Sequence, residues 1–345
     1  MTAKANQRSL RSIMKKIKRG DKLNILTFAT HERYEENLCR TGHNFYSLKY
    51  GKEWDTTYAP VPDNYHIIDS LPQHIDIDLV LSHTSCNRLQ VAHDILTDTN
   101  GMSGQSPVPI LRHCHVLPDI RFDVETQIQS YNSLPIKHNS FISDYNKTQW
   151  KSSGYVVEHG VDTNFWRPSD RKVPEIEGCL SVVNEFPTRD WCCGFQLWKD
   201  VVKDIPRFIV GKCTTHPNFS EPARTREELR DYYQRARLFL NTSLHSPVPT
   251  VMLEAMACGC PVVSTENCMI PEIIEHGVNG FMANDPNELR NYCIQLLNDP
   301  ELARKMGAAA RETIVSKFSM PRFIDNWNNL LYKTIGEYNE GLLGR

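Results

Sequence analysis

Residues 246–263, SPVPTVMLEAMACGCPVV, decide how the rest of the chain is read. The polar opening leads into a helix over 250–258. Pro249 suits its first position, where a missing amide hydrogen leaves nothing unpaired. Met252, Leu253 and Ala257 give the helix an apolar side. Gly259 is a left-handed stop and Pro261 prevents the helix from resuming, so Val262 and Val263 continue as a short buried strand. A helix entered from a polar loop leaves amides pointing at that loop, where they can hold a phosphate or a sugar hydroxyl. Glu254 lies about one turn inside, and its carboxylate can accept hydrogen bonds from two neighbouring ribose hydroxyls. The same pattern also describes a tight helix packed on a sheet with Glu254 solvated, and the pattern alone does not separate the two.

Composition narrows the class. A chain of 345 residues is long enough for two ordinary domains. With 40% hydrophobic and 23% charged residues it reads as a soluble globular protein, and a net charge of -2 gives no global signal for nucleic acid. The eleven cysteines include no two CxxC pairs, and no histidine cluster has zinc spacing, so the expectation is reduced, mostly buried thiols in a cytoplasmic protein without a metal. No apolar run is long enough to span a bilayer, and the first residues lack the apolar core of a signal peptide. Residues 1–20 form a basic tail with Lys4, Arg8, Arg11, Lys15, Lys16, Lys18 and Arg19 and no acid. An amphipathic helix here would rest on an anionic membrane surface. Nonspecific contact with nucleic acid and a solvated, frayed terminus are the other readings.

Upstream of this loop and helix, buried-type strands over 24–30, 44–48, 75–82, 108–114 and 140–143 alternate with helices over 31–40, 88–96 and 144–151. That cadence is an α/β sheet with helices on its faces. The connection running to residue 69 is long and carries Trp54, Tyr58 and Tyr65, which either stack on a sugar or base or fill space. Function on such a sheet belongs at the carboxyl ends of strands, where His83 and His115 fall, with His113 on the same face as His115. His31 and Arg33, after the first strand, are candidates for an acceptor or phosphate and equally ordinary surface residues. Further along, strands over 178–183, 206–211, 236–243 and 262–263 repeat the cadence. Thr225 and Asp285 open capping boxes, and a last helix over 319–338 presents Trp327, Leu330, Leu331 and Ile335.

The segment EAMACGCPVV resembles the donor-binding signature of retaining GT-B glycosyltransferases of family four: a Glu, seven residues, a second Glu, then Ala-Met-Ala-x-Gly-x-Pro-Val-Val. Glu254 matches the second Glu, and Ser246 stands at the first, which in the family contacts the donor sugar. HGVDTNFWRP, residues 159–168, resembles the family's Asn-Gly-Val-Asp-x-x-x-Phe-x-Pro, with Gly160 allowing close backbone approach and Asp162 and Asn164 pinning the turn. The resemblance is strong over 155–318 and weaker before it. It implies two Rossmann-like α/β/α domains facing across a cleft, with a C-terminal helix crossing back: a basic tail over 1–20, an acceptor-side domain over 21–167 joined by 319–345, and a nucleotide-sugar domain over 168–318.

The activity so implied is transfer of a sugar from a UDP- or GDP-sugar to a glycan, lipid-linked or other small acceptor, with retention of anomeric configuration and no metal. His115 would bind the sugar and hold the reacting face. The family's diphosphate-binding Gly-Arg and Lys-Gly are absent from NEFPTRDWCCG, residues 184–194, which leaves Arg189 as the diphosphate residue, Lys212 as a second, and Lys199 behind them. Gly160, Ser246, Pro249, Thr250, Val251 and Glu254 complete the donor site, and Glu272 is structural. The competing readings are a nucleotide-sugar or glycan-binding protein that has lost catalysis, favoured by Ser246 and the missing Gly-Arg, and a nucleotide-sugar epimerase.

Overall fold

The computed structural model describes residues 18–49, 52–71, 75–83, 108–170 and 175–343. Most of the basic tail, the helix expected over 88–96 and the loop over 98–107 lie outside them. The chain divides into two compact units, Met1–Glu158 with Phe323–Arg345, and His159–Arg322. The expected boundaries fell at 167 and 319. The turn after Glu158 goes with the second unit because it is bonded there. The Val161 amide donates to Phe318 O at 2.8 Å, Trp166 is 3% exposed against Tyr233, and the Arg311 guanidinium donates to Trp166 O and Thr163 O.

The first unit runs β1 (Asn24–Thr27), α1 (Glu32–Cys39), β2 (Asn44–Leu48), β3 (Tyr65–Ile68), β4 (Leu79–His83), β5 (Ile110–Cys114), α2 (Val124–Ser133), β6 (His138–Phe141), α3 (Asp144–Gln149) and β7 (Tyr155–Val156). Its sheet has the order β3-β2-β1-β4-β5-β6-β7, parallel throughout. Ile25 and Leu26 on β1 are fully buried; burying such side chains stabilises by about 1.5–3 kcal/mol each. The chain departs from β1 in both directions, through β2 on one side and β4 on the other. The carboxyl ends of β1 and β4 therefore form a topological switch point, where ligands of open α/β sheets bind.

Two elements here were not expected. The aromatic connection ends in β3, an edge strand paired Phe45↔Tyr65 through Leu48↔Ile68. Only Tyr65 of its four residues is buried, so it lacks the apolar run of the inner strands. Helix α2 hides because just Ile128 and Tyr131 are buried; Asp123 caps it by accepting from the Thr126 amide at 2.7 Å.

The second unit runs β8 (Ile176–Val182), a 3-10 turn (Phe186–Arg189), α4 (Asp190–Cys193), α5 (Phe195–Val201), β9 (Arg207–Val210), α6 (Arg226–Arg235), β10 (Ala236–Asn241), α7 (Thr250–Ala257), β11 (Val262–Ser264), α8 (Ile270–Ile273), β12 (Phe281–Met282), α9 (Pro286–Asn298) and α10 (Pro300–Lys317). The sheet order is β12-β11-β10-β8-β9, again parallel. Its switch point lies between β8 and β10, so the loops after those two strands are the ones placed for a ligand. The caps follow the sequence: Thr225 accepts from the Glu228 amide, and Asp285 from the amides of Asn287 and Glu288.

The last helix, α11 (Met320–Leu343), belongs to the first unit from Phe323 onward. Trp327, Leu330, Leu331 and Ile335 are all buried, as their spacing implied. A histidine fastens it. The Leu23 amide donates to His43 Nδ1 at 3.2 Å, which leaves the proton on Nε2 to be donated to Asn328 Oδ1 at 2.9 Å. Burial pushes His43 below its ordinary value, which keeps it in that neutral form.

Helix α7 is fixed at its far end. Gly259 adopts φ +78°, the left-handed stop read from the sequence, and Gly307 of α10 lies so close that a Cβ there would sit 2.0 Å from Gly259 O. We expect Gly307→Ala to lower stability by about 1–3 kcal/mol through this overpacking, measured as a shift in the urea midpoint. An unchanged midpoint would mean that α7 and α10 are not in this contact.

Candidate active site

In the first unit, the end of β1, the start of α1 and the ends of β4 and β5 assemble four histidines around one tyrosine. His83 and His113 are in register on neighbouring strands, and His115 follows on the same face. His83 Nδ1 and His115 Nε2 are hydrogen-bonded at 2.7 Å. The Tyr34 ring stands edge-on to His115 at 4.4 Å between centroids, and the His31 ring lies 5.1 Å from it. Arg33 lies on α1, half-buried.

The Trp327 indole, which can only donate, gives its proton to the Tyr34 oxygen at 3.1 Å. This favours the Tyr34 hydroxyl donating to His113 Nε2, 2.8 Å away, and His113 Nδ1–H donating to Ser140 Oγ, also at 2.8 Å. Full burial pushes Tyr34 far above the ordinary tyrosine value, so the hydroxyl keeps its proton. Two strands, α1 and the last helix are thereby joined through buried polar atoms.

The turn carrying His31 is held by a residue that sequence reading missed. Glu35 is 1% exposed. Its Oε1 accepts from the Thr30 amide (2.6 Å), the Thr30 hydroxyl (2.9 Å) and the His31 amide (3.1 Å), and its Oε2 accepts from the Tyr65 hydroxyl. The reach of a first-turn acid back to the amides before its helix was the available signal. His83, read only as a strand-end histidine, has its partner on another strand, and no local pattern announces that.

In the second unit the loops after β8 and β10 are bonded together. Cys192 O accepts from the amides of Leu244 (2.9 Å) and His245 (3.1 Å), and Cys193 O accepts from the Thr242 hydroxyl at 3.1 Å. Gly194, at φ +71°, comes so close to Thr242 that a Cβ would meet its carbonyl oxygen at 2.0 Å. Arg189, in the turn after β8, and Lys212, in the loop after β9, are exposed, and both bond Asn184. Arg189 Nη1 donates to Asn184 O at 3.4 Å, and the Lys212 amide donates to Asn184 Oδ1 at 2.9 Å. Lys199 instead lies over the Phe195 ring, 5.2 Å from its centroid.

Near Lys212 stands an acid that nothing in the sequence marked. Glu185 has φ 52°, a left-handed conformation unusual for a residue with a side chain. Its two carboxylate oxygens accept from the Thr214 amide at 2.9 and 3.1 Å, and that bond, with the Thr214 side chain and Lys212, holds the carboxyl below the ordinary glutamate value.

Helix α7 differs from the sequence reading by one position at its start, and the state of Glu254, left open there, is resolved. Pro249 is its N-cap, with ψ 96°, and Thr250 takes the first helical position. Among the described residues the amides of Thr250 and Val251 have no acceptor, whereas Met252 already bonds Pro249 O at 2.9 Å. Glu254 is not solvated: it is 8% exposed, and Oε2 accepts from the Tyr233 hydroxyl of α6 at 3.2 Å. Ser246 is half-buried in the preceding loop. Gly160 lies in the turn that opens the unit, where Asp162 Oδ1 accepts from the amides of Asn164 and Phe165, both at 3.1 Å. Glu272, exposed on α8, lies at the surface. Among the described residues no group of three or more His, Cys, Asp and Glu side chains is arranged to hold a metal ion, and no helix is long and apolar enough to cross a membrane.

Residues 218–313, which contain α6, β10, α7 and β11, match the family model of glycosyl transferases group 1. The chain is 28% identical over 171 residues to the N-acetyl-alpha-D-glucosaminyl L-malate synthase of Bacillus anthracis, covering 49% of this chain and 41% of that protein. It is 31% identical over 204 residues to the alpha-maltose-1-phosphate synthase of Mycobacterium tuberculosis, covering 48% and 53%. The chain spans about half the length of the curated relatives it matches. Among solved structures, a glycosyltransferase from Rickettsia africae superposes with a TM-score of 0.70 at 16% identity, covering 91% of this chain and 99% of that one. Anabaena HepE in complex with UDP gives 0.70 at 14% identity, covering 91% and 100%.

Likeness over that share of the chain shows the architecture to be the GT-B fold, as the parallel sheets of both units lead one to expect. The matched segment supplies the lineage: the chain is related to the glycosyl transferases group 1.

A pH test bears on the histidine turn. Burial raises the Glu35 carboxyl above its ordinary value, against the pull of the Tyr65 hydroxyl and the Thr30 and His31 donors. The folded chain thus holds that proton to higher pH than the unfolded chain. The contribution is full below the ordinary glutamate value and is lost as pH rises through the raised one. Urea unfolding followed upward from about pH 4 should show wild-type stability falling relative to Glu35→Gln. Parallel pH profiles would show that Glu35 does not titrate differently on folding.

Proposed function

We propose that the protein transfers a sugar from a nucleoside-diphosphate sugar, with UDP or GDP as the nucleotide, to an acceptor with retention of configuration. One observation carries this reading: Glu254 is buried one turn inside a helix whose first two amides are unengaged among the described residues, at the switch point of a parallel sheet. In this reading the amides of Thr250 and Val251 meet a phosphate, and Glu254, oriented by Tyr233, accepts from the ribose hydroxyls. Arg189 and Lys212 balance the diphosphate charge, and Ser246, Pro249 and Gly160 line the donor. His115 holds a sugar hydroxyl in the first unit. The anomeric carbon–phosphate oxygen bond breaks, the acceptor oxygen bonds the same face of that carbon, and the acceptor proton passes to the departing diphosphate. The acceptor is a glycan, a lipid-linked or another small hydroxyl compound. A peripheral cytoplasmic location follows if residues 1–20 rest on an anionic membrane.

A nucleotide-sugar-binding protein without turnover is the second reading. It is favoured by Ser246 and by the Glu185 carboxylate, which shares its loop with Arg189.

Calorimetry with UDP and GDP, and release of either from its sugar nucleotide, tests both. We expect Glu254→Ala to weaken nucleotide binding by about ten- to a hundredfold, the loss for a hydrogen-bonded charge. We expect His115→Ala to lower turnover more than binding. Unchanged affinity in Glu254→Ala would place the ribose elsewhere. Binding without turnover across a broad acceptor set would favour the second reading.

A further inference from the structure

We infer that Glu185 is a specificity residue that sets the diphosphate site against the nucleoside diphosphate product relative to the sugar nucleotide, and so hastens product release. This rests on the reading of the loops after β8 and β9 and the start of α7 as the diphosphate site.

Glu185 follows β8, one of the two strands that flank the switch point of the second sheet. It is built into both loops. Its amide donates to Lys212 O at 2.7 Å, its carbonyl oxygen accepts from the Arg189 amide at 3.1 Å, and its carboxylate oxygens accept from the Thr214 amide. The adjoining Asn184 accepts from Arg189 Nη1 and from the Lys212 amide. The backbone makes these bonds in a left-handed conformation, at φ 52°. One fixed carboxylate thus stands on the segments that carry both candidate phosphate cations. The other titratable groups on these segments are Asp190, Cys213, His216 and Glu221.

Charge count separates product from donor. Neither phosphate of a sugar nucleotide has a further proton to lose near neutral pH. When the anomeric carbon–oxygen bond breaks, the terminal phosphate keeps the oxygen and receives the acceptor proton. Above about pH 6 it gives that proton to solvent and gains one further negative charge. Arg189 and Lys212 by themselves would hold this more highly charged product more tightly than the donor. A fixed carboxylate offsets that preference, because its repulsion grows with each charge on the ligand. Its bond to Thr214 keeps it out of the place of the anion, so it acts through its field. Thr214 and Lys212 hold the Glu185 carboxyl below the ordinary glutamate value, so it stays charged at about pH 5.

The test is calorimetry of UDP and UDP-glucose, and of GDP and GDP-mannose, with wild type and Glu185→Gln at about pH 7.5 and about pH 5. Gln keeps an oxygen for the Thr214 amide and removes the charge. At about pH 7.5 the affinity for the nucleoside diphosphate relative to its sugar nucleotide should rise about two- to fivefold in the variant, and added UDP or GDP should inhibit turnover correspondingly more strongly. At about pH 5, where the terminal phosphate keeps its proton, the ratios of wild type and variant should converge. Glu185→Gly, which the left-handed backbone favours, should repeat the result, and Lys212→Met should move the ratio the other way. His216→Asn, which removes the one histidine of these segments, should leave the pH dependence intact.

An unchanged ratio in both Glu185 variants would leave Glu185 only a clamp between two loops and overturn the inference. So would a change undiminished at about pH 5, or a pH dependence lost with His216. A wild type that binds neither nucleotides nor sugar nucleotides removes the diphosphate reading itself, and the inference with it.

Discussion

Parallel pairing is the constraint from which the rest follows. In both sheets every described neighbour pair is parallel, so all the strands of a sheet end at one edge. Polar residues that would disrupt a strand interior can gather there, where the chain leaves the sheet. The strand order then selects among the ends. Between β1 and β4, and again between β8 and β10, departing connections diverge and leave room. Thr30, His31 and His83 stand at the first of these, with His115 one strand further on, and the loops of Arg189 and Ser246 stand at the second.

The two edges use this room differently. In the first unit the polar atoms bond one another: Trp327, Tyr34, His113 and Ser140 form one chain, and His83 with His115 a second. Such groups left without partners would each cost about 1–3 kcal/mol, so the network confines each ring to one orientation. In the second unit an apolar core lies beneath the loops, buried polar groups such as Asn241 and Ser264 bond one another, and the cations face outward. Phe186, Trp198, Leu240 and Val263 pack beneath the loops, while Arg189, Lys212 and the first amides of α7 stay at the surface. One edge is suited to orienting a group, the other to receiving a charge.

Legibility in the sequence tracks locality. The left-handed Gly259, the caps at Thr225 and Asp285, and the strands of NILT and ARLFLN depend on a few adjacent residues and were readable. Strand β3 was not, since it is stabilised by pairing with β2 and only Tyr65 turns inward. Nor was the state of Glu254, which depends on Tyr233 from another helix. The shift of Pro249 from first helical residue to N-cap is a difference of one position that proline's fixed φ permits in either place. Glu185 had no signal at all, because its conformation depends on the Thr214 amide across the loop.

Charge in the loops after β8 and β9 is the most consequential physical feature of the second unit. In the proposed reading a diphosphate must be held near two exposed cations, one in each of the loops after β8 and β9, and a glutamate whose carboxyl is held below its ordinary value. Exposed ion pairs contribute about 0–1 kcal/mol and are screened by salt, so Arg189 and Lys212 are modest attractors on their own. Fixed dipoles do better: the aligned peptides of α7 place about half a positive charge at its start, and its amides need no reordering when an anion arrives. Glu185 is drawn aside by Thr214, which limits its repulsion of an anion at that helix start. In that reading the loop after β8 has fewer cations than the resemblance leads one to expect, and backbone amides would carry more of the phosphate recognition. Backbone amides cannot be removed by substitution of a side chain, and the grip of Gly307 on Gly259 anchors the helix that presents them.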